Sequence, residues 1–292
     1  MVAPNPHHFA AKVSHKTMGL ITFLTFTVVV VELIVGYLAN SLAVISDAAH
    51  NFADAIAVAS SWYALWVAEK PVTHKRTFGY HRTGIIATFI NALILILMAL
   101  LICYEAYHRY LNPILVEGKI VIIMAFCAAS VNLFNGMLLH KASKDDINIR
   151  SAFLHIIGDV ATALGVVIGG IIIMITGMSI IDPIVSFIVG LFILWSSIGL
   201  LKDSIAVLME GTPSHINIEE LEKTINNVSG VVRCYDLHVW AIASGFIACS
   251  FHLVTDKHTL KDGQIVLRSL EQELATKFAI THTTIQIEIE DE

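Results

Sequence analysis

Two stretches of this chain place a histidine and an aspartate four residues apart within apolar sequence: His50 and Asp54 in SDAAHNFAD, and His155 and Asp159 in HIIGD. Residues at i and i+4 stand one above the other on a helix face, so each pair can grip one ion. Together they offer two imidazole nitrogens and two carboxylate oxygens, a four-coordinate set suited to Zn2+. Spacing alone is a weak signal. About half an occurrence is expected by chance in a chain of this composition, and the same spacing recurs at His252 to Asp256 and His258 to Asp262. Context gives the first two pairs their weight. A charged side chain at the centre of a bilayer costs roughly 2.5 to 3.5 kcal/mol even on the lenient insertion scale, so ionisable groups inside apolar helices are functional candidates. The bland alternative is hydrogen bonding between helices. Asp47 lies three residues before His50 on the same face and suits a supporting partner or an entry ligand. Glu32, Asn91, Glu105, Asn132, Asn135 and Asp182 are read as helix-end or interhelical hydrogen-bonding groups, with metal contact assigned to none.

The elements that must hold these residues follow from composition. Of 292 residues, 56% are hydrophobic and only 14% charged, against about 25% charged in an average soluble domain. Apolar runs of about 20 residues suffice to cross a bilayer as helices. Six occur, near Met18 to Ala39, Ser41 to Trp66, Ile85 to Tyr104, Ile120 to Leu139, Ala152 to Thr176 and Ile180 to Leu201. They divide the chain into an N-terminal arm (1–17), a six-helix transmembrane domain (18–201) and a soluble domain (202–292). The first run is too long for the apolar core of a signal peptide and lacks an A-x-A exit, so it is expected to remain in the mature protein. Nine Lys and Arg fall on the arm and the even connections and two on the odd ones, which puts both termini in the cytosol. His155 follows Arg150 by five residues. For it to reach the depth of His50, the fifth helix must begin well before its apolar run, near Asp145 or Asp146.

Residues 202–292 hold 7 Lys and Arg against 14 Asp and Glu. That acidity speaks against nucleic acid as a partner. Four cysteines without a C-x-x-C pair make neither a disulfide framework nor a cysteine zinc knuckle and read as free, buried thiols. The tail changes period, with a helix at Ile218 to Val228, strands at Val231 to Ala243 and Phe246 to Asp256 joined at Ser244-Gly245, a helix at Thr259 to Phe278, and a strictly alternating strand THTTIQIEIE. The order αββαβ describes a small open sheet backed by two helices. Alternation sends Leu237, Val239, Ala241, Cys249, Phe251 and Leu253 inward. His238, His252, His282 and Glu288 then share the open face, three imidazoles and a carboxylate that suit zinc, or else an ordinary solvated surface.

The motifs SLAVISDAAHNFAD, KRTFGYHR, HIIGD, DP at the start of the sixth run, LMEGTP at its exit, YDLHVW and THTTIQIE together resemble the cation diffusion facilitator family over essentially the whole chain. The short fourth connection resembles the zinc-transporting bacterial branch. The resemblance implies a homodimeric exporter in the bacterial inner membrane, with six spans and a cytosolic domain of metallochaperone-like fold, exchanging zinc for protons. It implies transport ligands at His50, Asp54, His155 and Asp159, and zinc at His238, His252, His282 and Glu288 in some relatives. Histidine at position 50 resembles zinc-preferring members, whereas Asp there goes with wider cadmium acceptance. Tyr235 stands where some relatives place a cytosolic histidine ligand. Thr73, Arg76 and Tyr80 replace ligands of a connecting-loop site, with His74 and His81 nearby. Two other classes stay open: a carrier for cadmium, manganese or iron, and a membrane-anchored metal sensor without transport. An intramembrane metalloprotease would need H-E-x-x-H, which the chain lacks.

Overall fold

The computed structural model describes the backbone of residues 15–68, 70–140, 147–243 and 245–289; the side chains of 15–19, of several residues between 57 and 68, of 139 and of 147–155 are outside that description. Six long helices come first: α1 (His15–Leu38), α2 (Leu42–Ala68), α3 (Thr83–Leu111), α4 (Gly118–His140), α5 (Ile147–Thr176) and α6 (Ile181–Leu208). Among the described residues, α1, α3, α4, α5 and α6 each hold a stretch long and apolar enough to cross a membrane. The remaining helix, α2, is 27 residues long and carries Asp47, His50 and Asp54. The C-terminal domain follows with α7 (Ile218–Asn226), β1 (Val231–Ala243), β2 (Phe246–Thr255), α8 (Leu260–Phe278) and β3 (Ile280–Ile289). The fold is therefore six membrane helices followed by a small αββαβ domain. By compactness the chain forms two units, Met1–Ala59 with Asn91–Gly199, and Ser60–Ile90 with Leu200–Glu292.

In the first unit the helices pack through small residues, as membrane helices do where close backbone approach replaces a hydrophobic drive. A side chain on Gly170 of α5 would come within 2.8 Å of Ile122 of α4, and one on Gly190 of α6 within 2.9 Å of the Cys103 sulfur of α3. Two apolar cores result. One gathers Ala43, Val44, Val121, Met124, Ala125 and Val166 from α2, α4 and α5. The other gathers Ala53, Leu95, Ala99, Ile102, Val189 and Ile193 from α2, α3 and α6. Site-bearing α2 contributes to both.

The start of α2 is fixed by a neighbour rather than by its own sequence. Asn40 takes a left-handed φ of 54° in the tight turn after α1. Asp182, in the first turn of α6, then accepts hydrogen bonds from the Ser41 hydroxyl (2.5 Å) and the Leu42 amide (2.7 Å). A carboxylate thus caps the exposed N–H groups of a helix from across the bundle.

In the second unit β1 pairs antiparallel with β2, and β2 pairs parallel with β3, giving the order β1-β2-β3. One face packs on α7 and α8 through Leu221, Ile225, Cys234, Val239, Cys249, Phe251, Leu253, Val266, Leu270 and Leu274. Asn217 caps α7 through bonds to the Glu219 and Glu220 amides, and Thr259 caps α8 through Asp262. Strict alternation fails in β1. The register shifts between Tyr235 and His238, and Asp236 has a left-handed φ of 53°, so an extra residue bulges there. That bulge lets Cys234 and Leu237 both face the helices.

The free-thiol expectation holds in part. Cys234 and Cys249 are buried, but Cys103 is half-buried and Cys127 exposed. Cys127 lies on a helix whose outer surface is apolar, so exposure there means contact with lipid rather than water. Burial pushes the Cys249 thiol up to about 12, which leaves it without reactive thiolate.

Candidate metal centre

In α2, His50 and Asp54 rise one turn apart on the buried side of the helix, and Asp159 of α5 meets them. The His50 Nε2 lies 3.7 Å from an Asp54 carboxylate oxygen and 3.4 Å from one of Asp159. One ligand atom from each of the three falls within 4.8 Å of the others. His50 and Asp159 are 6% and 8% exposed, so neither is a surface group.

These separations carry chemical information. At 3.4 and 3.7 Å the atoms are too far apart for good hydrogen bonds, whose N to O distance is about 2.7 to 3.2 Å. Ligands about 2.0 to 2.1 Å from one tetrahedral zinc ion stand about 3.3 to 3.4 Å apart along each edge of the tetrahedron. The His50 to Asp159 separation equals such an edge and the His50 to Asp54 separation is a little longer, so the three groups converge closely enough to share one ion.

His155, the fourth expected ligand, lies on α5 one turn before Asp159, and its side chain is outside the described residues. The helix does start before Arg150, at Ile147; Asp145 and Asp146 are outside the described residues. The backbone thus sets position 155 on the helical face of Asp159.

Behind the cluster, Asp47 is 2% and Glu32 of α1 only 1% exposed. Asn51 donates from Nδ2 to Glu32 at 3.3 Å. The Glu32 and Asp47 carboxyl groups lie close to each other, and Asp47 lies close to Thr162 of α5. Sequence reasoning left Glu32 as a hydrogen-bonding group and missed this link. The available signal was an acidic residue in an otherwise uncharged span.

In the C-terminal domain three of the four expected residues gather and one stands apart. His252 Nδ1 is 2.8 Å from Glu288, and its Nε2 is 4.0 Å from Asp236. Asp236 also holds His238 at 3.1 Å. His282 sits elsewhere. It lies opposite Ala248 while Glu288 lies opposite Val254, six residues further along β3 and so about 20 Å away at 3.3 Å per residue. Shared parity puts two residues on one face without bringing them together. His282 packs edge-on against Phe78 and Phe246 instead.

Two neighbours that were not among the expected ligands join this cluster. The bulge brings Asp236 between His238 and His252. Tyr235 stacks on His252 with ring centroids 4.8 Å apart and donates its hydroxyl to Glu288 at 2.7 Å. The phenol and then His252 hold the Glu288 carboxyl below the usual carboxylate range. The same hydrogen bond raises the Tyr235 phenol.

Comparison with known proteins is consistent from residue 19 to residue 290. The family model described as the cation efflux transmembrane domain matches residues 19–209, and that of the cation efflux protein cytoplasmic domain matches 213–290. A protein named cadmium, cobalt and zinc/H(+)-K(+) antiporter from Bacillus subtilis is 39% identical over 95% of this chain and 90% of its own length. The metal cation efflux system protein CzcD of Cupriavidus metallidurans is 37% identical over 94% of this chain and 87% of its own. The zinc transporter ZitB of Pectobacterium atrosepticum is 36% identical over 91% and 82%. A solved metal-bound C-terminal domain of the CzcD transporter is 41% identical, covers 25% of this chain and 99% of that domain, and gives a TM-score of 0.23.

Proposed function

The chain belongs to the cation efflux family of membrane transporters rather than to any enzyme class, and from that premise we propose that it exports Zn2+ in exchange for protons. It works as a homodimer in the bacterial inner membrane with both termini in the cytosol. The observation that supports this reading is the convergence of His50, Asp54 and Asp159 inside the helical bundle, with one ligand atom of each within 4.8 Å of the others. A sensor has no use for ligands at that place.

Zinc is the substrate, held by His50, Asp54, His155 and Asp159. Metal and protons compete for the same lone pairs, so a site that loads one releases the other. An imidazole titrates near about pH 6.5 without perturbation. A neutral cytosol therefore favours loading, and a more acidic exterior favours discharge. The two helices carrying the site open alternately to either side, as in other secondary transporters. Two nitrogen ligands favour zinc over manganese or iron.

A broader cadmium and cobalt carrier is the second reading, favoured by the names of the Bacillus subtilis and other relatives. Purified protein in proteoliposomes tests both. Zinc uptake should move protons the opposite way, recorded as a pH change inside the vesicles. Zinc flux without proton movement, or proton movement unaffected by zinc, would overturn the antiport. Competition by cadmium and cobalt distinguishes the two substrate ranges.

A further inference from the structure

The connection between α2 and α3 is mainly basic. Residues 69–82 contain Lys70, Lys75, Arg76 and Arg82 against one acid, Glu69. The segment is not a loose tail, because successive turns shape it. Thr73 and Arg76 exchange backbone hydrogen bonds at 3.3 and 2.9 Å, the Gly79 amide bonds the Arg76 carbonyl at 3.0 Å, and the Thr83 amide bonds the Tyr80 carbonyl at 2.9 Å. Gly79 has a left-handed φ of 71° that suits glycine.

Within the second unit this shaped segment walls a cavity of about 860 Å3, lined among others by Lys75, Arg76, His81, Arg82, Glu210 and Trp240. Its charges do not cancel. Glu210 is the carboxylate in the lining and is bound to Arg82 at 2.9 Å. Lys75 is exposed, and Arg76 is exposed with its guanidinium held 4.4 Å over the Tyr80 ring. The volume is that of a small-molecule site. A cleft walled by one sign of charge concentrates ions of the other sign.

The surroundings say what kind of anion. The cavity lies where α3 begins. The chain leading into that segment carries groups that favour a membrane interface: exposed Tyr63 and Trp66 near the end of α2, Lys70 at 4.3 Å over the Trp66 ring, and exposed Val72, with exposed Phe78 in the cavity lining itself. Aromatic rings and lysines at a helix end mark the headgroup level. Basic pockets beside membrane helices are suited to the phosphates of anionic lipids.

We propose that this cavity binds the headgroup phosphate of an anionic phospholipid, with Lys75 and Arg76 as the principal contacts and Arg82 held in reserve by Glu210. Transport ligands play no part in the assignment. The site lies in the second unit, whereas His50, Asp54 and Asp159 lie in the first.

The test uses the full purified chain in a neutral detergent, titrated with phosphatidylglycerol or phosphatidylcholine and examined by native mass spectrometry. Phosphatidylglycerol should be retained and phosphatidylcholine should not. Lys75→Gln with Arg76→Gln should weaken retention by about fivefold for each cation removed. The pair Lys75→Arg with Arg76→Lys should keep it, which separates lost charge from lost folding. Lys261→Gln with Lys277→Gln, a control for net charge outside the cavity, should change nothing. Equal retention of both lipids, or undiminished retention in the glutamine pair, would overturn the proposal. So would displacement of phosphatidylglycerol by millimolar inorganic phosphate, which would assign the cavity to a free anion.

Discussion

At the scale of single residues the proposed centre in the membrane is a matter of one imidazole and two carboxylates brought close together. Asp54→Ala or Asp159→Ala removes one oxygen of the proposed set and should abolish zinc flux in vesicles; transport at the unaltered rate by either would remove that residue from the site. His50→Asp exchanges a borderline nitrogen for a harder oxygen, and the ratio of zinc to cadmium flux should fall. In the C-terminal domain the Glu288 carboxyl is held low by Tyr235 and His252. A depressed carboxyl contributes stability above its ordinary titration range and loses it as pH falls through the folded value, so the contact persists at neutral pH and fails in acid. Tyr235→Phe should return Glu288 toward the ordinary carboxylate range, and NMR titration of a labelled full chain would record that upward movement. The residues proposed as donors come from type and spacing. Their contacts with Glu32, Asp236 and Tyr235 were not legible, because each is brought in by another element or by a bulge that alternation does not reveal.

At the scale of elements, the six helices were legible because hydrocarbon demands about 20 apolar residues per crossing. Their ends were less so. The sixth runs to Leu208 rather than Leu201, since helix can continue into polar sequence once a crossing is complete. What fixes α2 in depth is Asp182, whose carboxylate sits on the Ser41 hydroxyl and Leu42 amide, a partner about 140 residues away that no local pattern shows. Asp182→Ala leaves those N–H groups and the hydroxyl uncapped, at a cost of about 1 to 3 kcal/mol for buried polar groups left unsatisfied. Thermal unfolding in detergent should register that loss as a lower midpoint. Asp182→Asn keeps one acceptor oxygen and should recover part of it. The contact between α4 and α5 makes a parallel case: Gly170→Val drives a side chain into Ile122 and Val121, and overpacking of this kind costs about 1 to 3 kcal/mol.

At the scale of the whole molecule, the acidic C-terminal domain faces a problem that a metal ion at the proposed ligands would answer. Residues 202–292 hold 14 acidic groups against 7 basic ones. Two such domains in a homodimer repel each other, and a divalent ion bound at each reduces the repulsion while fixing local geometry. The structure also makes this idea sharper than the sequence did. Spacing offered four equivalent ligands on one face, whereas the fold links His238 through Asp236 to His252 and His252 to Glu288, and leaves His282 against Phe78 and Phe246. Zinc binding should divide along that line. In a full chain whose membrane site is removed by Asp54→Ala with Asp159→Ala, the zinc that still binds belongs to the C-terminal domain. Adding His252→Ala should weaken it by at least tenfold, the lower end of what losing a supporting partner costs a metal site. Adding His282→Ala should leave it unchanged. Equilibrium dialysis against zinc reads both, and equal losses from the two variants would mean that β3 brings His282 to the metal in a conformation other than this one.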